Sequence, residues 1–276
     1  MNKASMRTLI IYILAVVILG ITLFPILWVV LSSLKPEGEI LSTHITFIPQ
    51  RITLANYKEL FTHFQFQKYL MNSVIIAVTT TILSVIFGVL AAYGFSRFSF
   101  PLSSKILFLI ILVKVFTPAA LVVPLYDLMS WLNLTDTLIA IIVGVTVMNL
   151  PFVIYMMKTF FDNFPKELEE AAMVDGMTPL CTLVSIVIPI SMSSIVTVAL
   201  FCFSAGWSDF LFSLSFSQTI KSMPATVAIA NMDTGYKVYW GAMMSGGTFL
   251  SVPILIIAFA FQKYFVRGIS AGALKQ

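Results

Sequence analysis

Apolar positions along this chain come in long unbroken runs rather than at a helical or strand period. Thr8 to Leu34 carries no charged side chain, and the run exceeds the roughly 20 residues a helix needs to cross a hydrocarbon core. Five further runs of the same kind cover about 70–95, 105–126, 138–158, 183–206 and 241–262. A soluble helix keeps a polar face at a 3.6-residue period, and most of these runs have none. A transmembrane β-barrel needs strands of about 10 residues with strict in/out alternation, which uniform runs twice that length do not supply. The pattern predicts an all-α polytopic membrane protein with six transmembrane helices in one transmembrane domain, 1–276. The first run is too long for the apolar stretch of a secretory signal, about 7–15 residues, and passes through Phe24, Pro25 and Trp28. It reads as an uncleaved first helix.

Composition strengthens this class. The chain is 59% hydrophobic and 10% charged, against about 25% charged in soluble domains. Its net charge of +4 is scattered rather than clustered, so nucleic acid is not an expected partner, and the basic residues are informative about topology instead. With the N-terminus inside, the inner segments hold Lys3, Arg7, Arg97, Lys105, Lys158, Lys166, Lys263, Arg267 and Lys275, most of them beside a span end. The outer segments hold Lys35, Arg51, Lys58, Lys68, Lys221 and Lys237, spread over two long stretches. Positive charge near span ends stays inside, so both termini are expected in the cytoplasm. Residues 35–69, with Pro36, Pro49 and several aromatics, form an ordered extracytoplasmic segment, and residues 159–182 form a cytoplasmic loop.

That loop holds five carboxylates, Asp162, Glu167, Glu169, Glu170 and Asp175, between two apolar runs. A cytoplasmic position puts them in water. Pro165 suits the first position of a short helix, Glu167 suits its positive end, and Gly176 can close it in the left-handed conformation. Thr178 and Pro179 then start a second helix. The bland alternative is a solvated amphipathic loop helix. The sharper reading rests on Leu168, Ala171, Ala172 and Val174, which interleave with the acids and give a docking surface for another protein.

These residues carry a resemblance. "EEAAMVDGM", with a further stretch running to Pro189, resembles the EAA loop of the membrane subunits of ABC importers. The stretches 72–101, 123–137 and 161–172 and the tail 268–276 are similar to the carbohydrate-uptake branch of that family, of the maltose-permease type. The resemblance implies a type I ABC importer transmembrane-domain fold and a binding-protein-dependent importer in a bacterial or archaeal inner membrane. It implies that this chain supplies half of the pathway beside a second, homologous permease subunit, with two cytoplasmic ATPases that carry ATP and Mg and an extracytoplasmic solute-binding protein that delivers carbohydrate. Glu169, Glu170, Ala171, Ala172, Asp175 and Gly176 are then the ATPase-coupling residues: a polar anchor, alanines that fit a groove, and a turn. Pro179 and Ser185 depart from the family pattern and put the packing of the second loop helix in question. "WSDF", 207–210, stands where the family more often has Trp-Asn-Glu-Phe, which makes Trp207 and Asp209 candidates for the external gate or binding-protein contact, against an interfacial aromatic as the plainer reading.

The pathway is less legible. Lys114 is the one charge well inside a run, and an ammonium there costs about 2.5–3.5 kcal/mol on the gentlest scale. It either meets a structural partner on a neighbouring helix, snorkels to an interface, or meets substrate. Asn149 before Pro151, and Ser193 and Ser194 after Pro189, offer polar atoms where helices kink, while "SGGT" at 245–248 suits close helix packing. Cys181 and Cys202 have neither redox nor metal spacing, and no metal site is expected. No phosphate loop, HExxH or GxSxG occurs, and His44 and His63 both lie outside the spans. An enzyme is therefore disfavoured. The remaining alternative is a self-contained sugar carrier driven by an ion gradient.

Overall fold

A computed structural model describes residues 3–273, with side chains described for residue 8 and for 10–261. Of the basic residues used for topology, Lys275 lies outside the described residues, and the side chains of Lys3, Arg7, Lys263 and Arg267 are not among those described. The elements are helices, with one isolated antiparallel bridge between Asp233 and Val238. In chain order they are α1 (Lys3–Ser33), α2 (Glu37–Ile40), α3 (Ala55–Thr62), α4 (Phe66–Arg97), α5 (Ser103–Leu112), α6 (Pro118–Trp131), α7 (Leu138–Asp162), α8 (Lys166–Val174), α9 (Pro179–Thr182), α10 (Ile188–Ile190), α11 (Met192–Trp207), α12 (Leu211–Phe216), α13 (Ala225–Ala230) and α14 (Trp240–Ala273).

Four of these, α1, α4, α7 and α14, are long and apolar enough to cross a membrane unaided, and two bent pairs raise the number to as many as six. The third apolar run is not one straight helix. It turns by 104° between Ser103–Val115 and Pro118–Trp131, because Phe116 and Thr117 are extended (ψ 137° and 144°) ahead of Pro118, as the residue before a proline must avoid the helical region. The fifth run turns by 84° between Pro179–Ile190 and Met192–Trp207. A π turn over Leu183–Val187 precedes that bend. Pro189 has no N–H to return to the preceding turn, so the ladder there is already interrupted.

The chain forms two compact units. One comprises the residues up to Gln67 with Ala228–Leu255. α1 is exposed on every face from Ile10 to Thr22, as suits a helix whose whole surface is apolar. Beyond its end, the buried Asn56 side chain donates to the carbonyls of Ser33 and Lys35, both at 2.8 Å, and so brackets α3 to the exit of α1. Phe61, Phe66 and Phe249 pack edge to face or tilted, with Phe61 and Phe249 centroids 5.2 Å apart.

The other unit comprises Lys68–Val227 with the residues from Ile256 on. Its two cores share α4 and α7. Val89, Ala92 and Tyr93 meet Val153, Met157 and Phe161, joined by Phe164, Leu183, Val187, Val198 and Cys202. Ile76 meets Ala140, Ile141, Val145 and Met148 with Met129, Phe212 and Phe216. Close approach of α11 to α4 needs Gly206, where a Cβ would stand 2.5 Å from the Thr80 hydroxyl and 3.0 Å from the Ala77 Cα. Around the loop between α6 and α7, Asp136 accepts from four donors: the N–H groups of Gln218 and Thr219 and the hydroxyls of Thr219 and Ser222. Asn72 donates to the carbonyls of Ile220 and Met223 at 3.1 and 2.9 Å, and Ser73 accepts from the Ala225 N–H at 2.9 Å. The 218–225 segment is thereby tied at both ends.

Two outcomes follow from this packing. Gly206→Ala forces a methyl against backbone and a buried hydroxyl, an overpacking that costs about 1–3 kcal/mol, and should lower the thermal midpoint in detergent by several degrees; an unchanged midpoint would mean that α4 and α11 do not rely on this contact. For Asp136, burial pushes the carboxyl up, but the Ser222 and Thr219 hydroxyls and the two N–H groups outweigh it and hold it well below the usual carboxylate range. A depressed folded-state value means stabilisation that is present above the unfolded value of about 4 and lost progressively as pH falls below it. Asp136→Ala should therefore lower the midpoint at pH 7, and the gap to the parent chain should narrow from pH 4 downward. A gap that stays constant from pH 7 to pH 3 would show that the carboxylate charge is not what holds this loop.

Candidate functional site

The acidic loop folds as two short helices around a glycine turn. α8 begins after Pro165, which takes the capping position one residue ahead of the first-turn place expected for it, and places Glu167 and Glu169 in the first turn, where the helix dipole favours them. It ends at Asp175, and Gly176 adopts φ +85°, a left-handed conformation that suits glycine and closes the helix. The Gly176 N–H donates to the Met173 carbonyl at 3.0 Å and the Met177 N–H to the Ala172 carbonyl at 3.0 Å. α9 starts at once, with the Thr178 hydroxyl accepting from the Cys181 N–H at 3.3 Å and Pro179 in the first turn.

Helical spacing divides α8 into two faces. Glu169 and Ala172, three apart, are 3% and 4% exposed, while Glu167, Glu170, Ala171 and Val174 are exposed. Two of the six coupling residues named from the sequence, Glu169 and Ala172, are therefore turned to the chain's own core. The reason is Arg97 at the C-terminal end of α4. Its Nε and Nη2 donate to Glu169 Oε1 at 2.9 and 2.6 Å, and the Tyr93 hydroxyl donates to Oε2 at 2.9 Å. Arg97 also donates through Nη1 to the Ser96 hydroxyl at 2.8 Å, which donates to Asp162 at 2.7 Å, and Lys158 pairs with Asp162 at 2.6 Å. One connected polar network thus ties the ends of α4 and α7 to the middle of α8. Beneath it, Tyr93 packs edge-on against Phe161, with centroids 5.9 Å apart.

The outward face is apolar as well as acidic. Leu168 and Met173 are 44% exposed and Val174 88%, in a segment whose polar anchor is already fixed underneath. Such a face can present Glu170, Ala171 and Val174 to another protein without moving relative to α4. Asp175 and Gly176 are exposed at the turn.

The remaining candidates are scattered. Lys114 is exposed in the three-residue turn Val113–Val115 at the break of the third run, and this turn packs against α7. Asn149 on α7 is 7% exposed with its amide nitrogen unpartnered among the described residues, as is the buried Ser191 hydroxyl at the second bend. Ser193 is exposed and Ser194 half-buried. No hydrogen bond or ion pair among the described residues joins Lys114, Asn149, Ser193 and Ser194. Trp207 is 4% exposed and stacks on Phe203 with centroids 5.8 Å apart. Asp209 accepts from the N–H and hydroxyl of Ser213 at 2.9 and 2.7 Å and so fastens the first turn of α12, while its carbonyl accepts from the Thr226 hydroxyl at 2.8 Å. Burial pushes its carboxyl up, against those hydrogen bonds. Both residues hold the corner after α11 within this chain.

The Tyr93–Arg97–Glu169 arrangement was hidden from sequence reasoning, which counted Arg97 for topology and grouped Glu169 with its acidic neighbours. The available signal was spacing. Glu169 shares a helix face with Ala172, whereas Glu170 shares one with Glu167 and Val174.

Comparison with known proteins places this architecture. The family model for binding-protein-dependent transport system inner membrane components matches residues 84–271. The chain is 32% identical over 276 residues to the inner membrane ABC transporter permease protein YcjP of Escherichia coli, covering 99% of each chain. It is 34% identical over 266 residues to the sulfoquinovosyl glycerol transport system permease protein SmoH of Agrobacterium fabrum, covering 96% of this chain and 93% of that one. Its fold matches a chain in the crystal structure of a bacterial ABC transporter involved in the import of the acidic polysaccharide alginate, with TM-score 0.83, 19% identity, and coverage of 96% and 99%. With that fold, and with relatives that are transport permease subunits, the chain belongs to the family of binding-protein-dependent transport system inner membrane components.

Proposed function

We propose that this chain forms half of the translocation pathway of an ATP-driven carbohydrate importer and receives the work of a separate ATPase through α8 and the Gly176 turn. Both termini are cytoplasmic in this reading, so the acidic loop meets the ATPase and residues 35–69 lie on the extracytoplasmic side. The partners are a second, homologous membrane subunit and two cytoplasmic ATPase subunits, which carry ATP and Mg. Carbohydrate as cargo is supported by the sugar named for the Agrobacterium relative and the polysaccharide named for the structural neighbour.

The observation that carries the coupling role is the clamp on Glu169. An acidic helix that served only to stay in water would need no buried anchor. Here Arg97 and Glu169 are 10% and 3% exposed, and the pair fixes α8 to the span helix α4 while the opposite face stays open. Force applied to Glu170, Ala171 and Val174 then reaches α4 directly rather than being lost in a flexible loop. Lys114, Ser193 and Ser194 at the bent runs and Asn149 ahead of Pro151 in α7 are assigned to the pathway, and Trp207 and Asp209 to the external gate or binding-protein contact.

Removing one partner of a buried ion pair costs about 3–5 kcal/mol. Glu169→Gln, in the chain assembled with its ATPase in nanodiscs, should leave the complex able to form but reduce binding-protein-stimulated ATP turnover at least ten-fold. Glu170→Lys, on the open face, should instead weaken co-purification of the ATPase. Uptake that persists without the ATPase and collapses when the ion gradient is dissipated would replace this reading with the self-contained carrier. Full stimulation in both variants would remove α8 from the coupling path.

A further inference from the structure

Between α2 and α3 the chain runs from Leu41 to Leu54 without regular structure, and its apolar side chains point outward. Leu41, Ile45, Phe47, Ile48, Ile52 and Leu54 are 61%, 76%, 61%, 76%, 77% and 66% exposed. Six exposed apolar side chains within fourteen residues mark an interaction surface.

Its depth identifies the partner. The Phe47 ring lies 6.5 Å from Phe24 and edge-on to Trp28 at 5.7 Å. Those two residues precede the end of α1 at Ser33 by nine and five positions, which is about 13 and 7 Å at 1.5 Å per residue. As a helix, the charge-free run Thr8–Leu34 is about 40 Å long, against a hydrocarbon core of about 30 Å. Centred on that core, the run projects about 5 Å at each end, which leaves the Phe24 and Trp28 positions that Phe47 packs on within the acyl region. The segment therefore folds back along α1 instead of rising away from the membrane.

The polar contacts fit that depth. Lipid cannot satisfy backbone groups, and side chains of this unit cap several of them. The buried Lys35 ammonium donates to the Thr46 carbonyl and lies 4.8 Å over the Trp28 ring. The Glu39 carboxylate accepts from the Thr46 hydroxyl at 2.6 Å and from the Gln50 N–H at 3.1 Å. The Thr53 N–H donates to the Leu34 carbonyl at 2.9 Å. Arg51 is exposed between Ile48 and Ile52, where a guanidinium meets lipid phosphates. Trp28 and Trp240 border the cavity of about 260 Å³ under the segment, and indoles concentrate at membrane interfaces.

We propose that Leu41–Leu54 is an interfacial strap that lies in the boundary between headgroups and acyl chains, with the bilayer itself as its partner. Its apolar side chains continue the exposed apolar surface of α1, Lys35 and Glu39 fix its fold from beneath, and Arg51 reaches the headgroups. It steadies the outer end of α1, from which α3 is bracketed through Asn56.

The test places a nitroxide at Ile48→Cys or Ile52→Cys in the full-length chain, with Cys181 and Cys202 replaced by serine, in nanodiscs of phosphatidylcholine and phosphatidylglycerol. Accessibility to oxygen should exceed accessibility to a water-soluble nickel chelate several-fold at both positions, and the order should reverse at Lys58→Cys on the exposed side of α3. Higher access to nickel than to oxygen at positions 48 and 52 would put the strap in water and overturn the proposal. Low access to both would overturn it in favour of a protein partner. A second arm keeps both native cysteines and the native membrane: p-benzoylphenylalanine at position 48 should crosslink to lipid. An adduct to another protein chain, or none at all, would reject the bilayer as partner.

Discussion

The buried pair between Arg97 and Glu169 is the constraint on which the α8 end of the larger unit depends. Placing a carboxylate at 3% exposure beside apolar spans is unfavourable unless its oxygens are filled, because desolvation of an ion amounts to several kcal/mol. Here two guanidinium donors fill one oxygen and a tyrosine hydroxyl the other. Arginine suits the place because its planar fork reaches the carboxylate with two nitrogens at once. Since Arg97 ends α4, its charge also faces the negative end of that helix. Lysine would supply the charge without the fork and would leave Glu169 short of a donor.

From that pair the rest of the loop takes its orientation. With Glu169 held inward, Ala172 must follow it three residues later, and Glu170, Ala171 and Val174 must face out. Small size suits Ala172, which is 4% exposed on a helix that packs against α9 and the π turn. Gly176 then reverses the chain in a conformation an L-residue resists, so that α9 and the π turn re-enter the same core through Leu183 and Val187. The loop is a fixed projection of the span helices and not a tether between them.

Much of this was legible in the sequence, and what was missed has a common physical cause. Six apolar runs, the loop helix, its glycine turn and the Thr178–Pro179 restart all follow from local chemistry: hydrophobic length, capping and φ preference. The bends at Thr117 and Ser191 were less legible, because an apolar run looks the same whether its helix continues or breaks, and Pro118 inside a run is compatible with a kink or a sharp turn. The inward turn of Glu169 was not legible by itself. It depends on Arg97, 72 residues earlier, and helical spacing sorts the three acids into two faces without saying which face turns inward. Trp207 and Asp209 show the same limit. A tryptophan at a span end reads as an interfacial ring, whereas its burial against Phe203 depends on the fold of the corner after α11.

The two ends of α4 explain why a local contact can have a distant effect. At its start, Asn72 and Ser73 hold the 220–225 segment, which Asp136 grips from the other side. At its end, Tyr93 and Arg97 hold α8. Between them α4 runs 32 residues with no proline, whereas α1, α6, α7 and α14 each have one in the helix interior. A proline-free helix of that length is a stiff strut, about 37 Å from Asn72 to Arg97 at 1.5 Å per residue. Any displacement of α8 that leaves the Glu169 clamp intact must move this strut as a body. The far end then carries the 220–225 segment with it, so that the α8 loop and that segment cannot shift independently unless one of the two sets of hydrogen bonds breaks first.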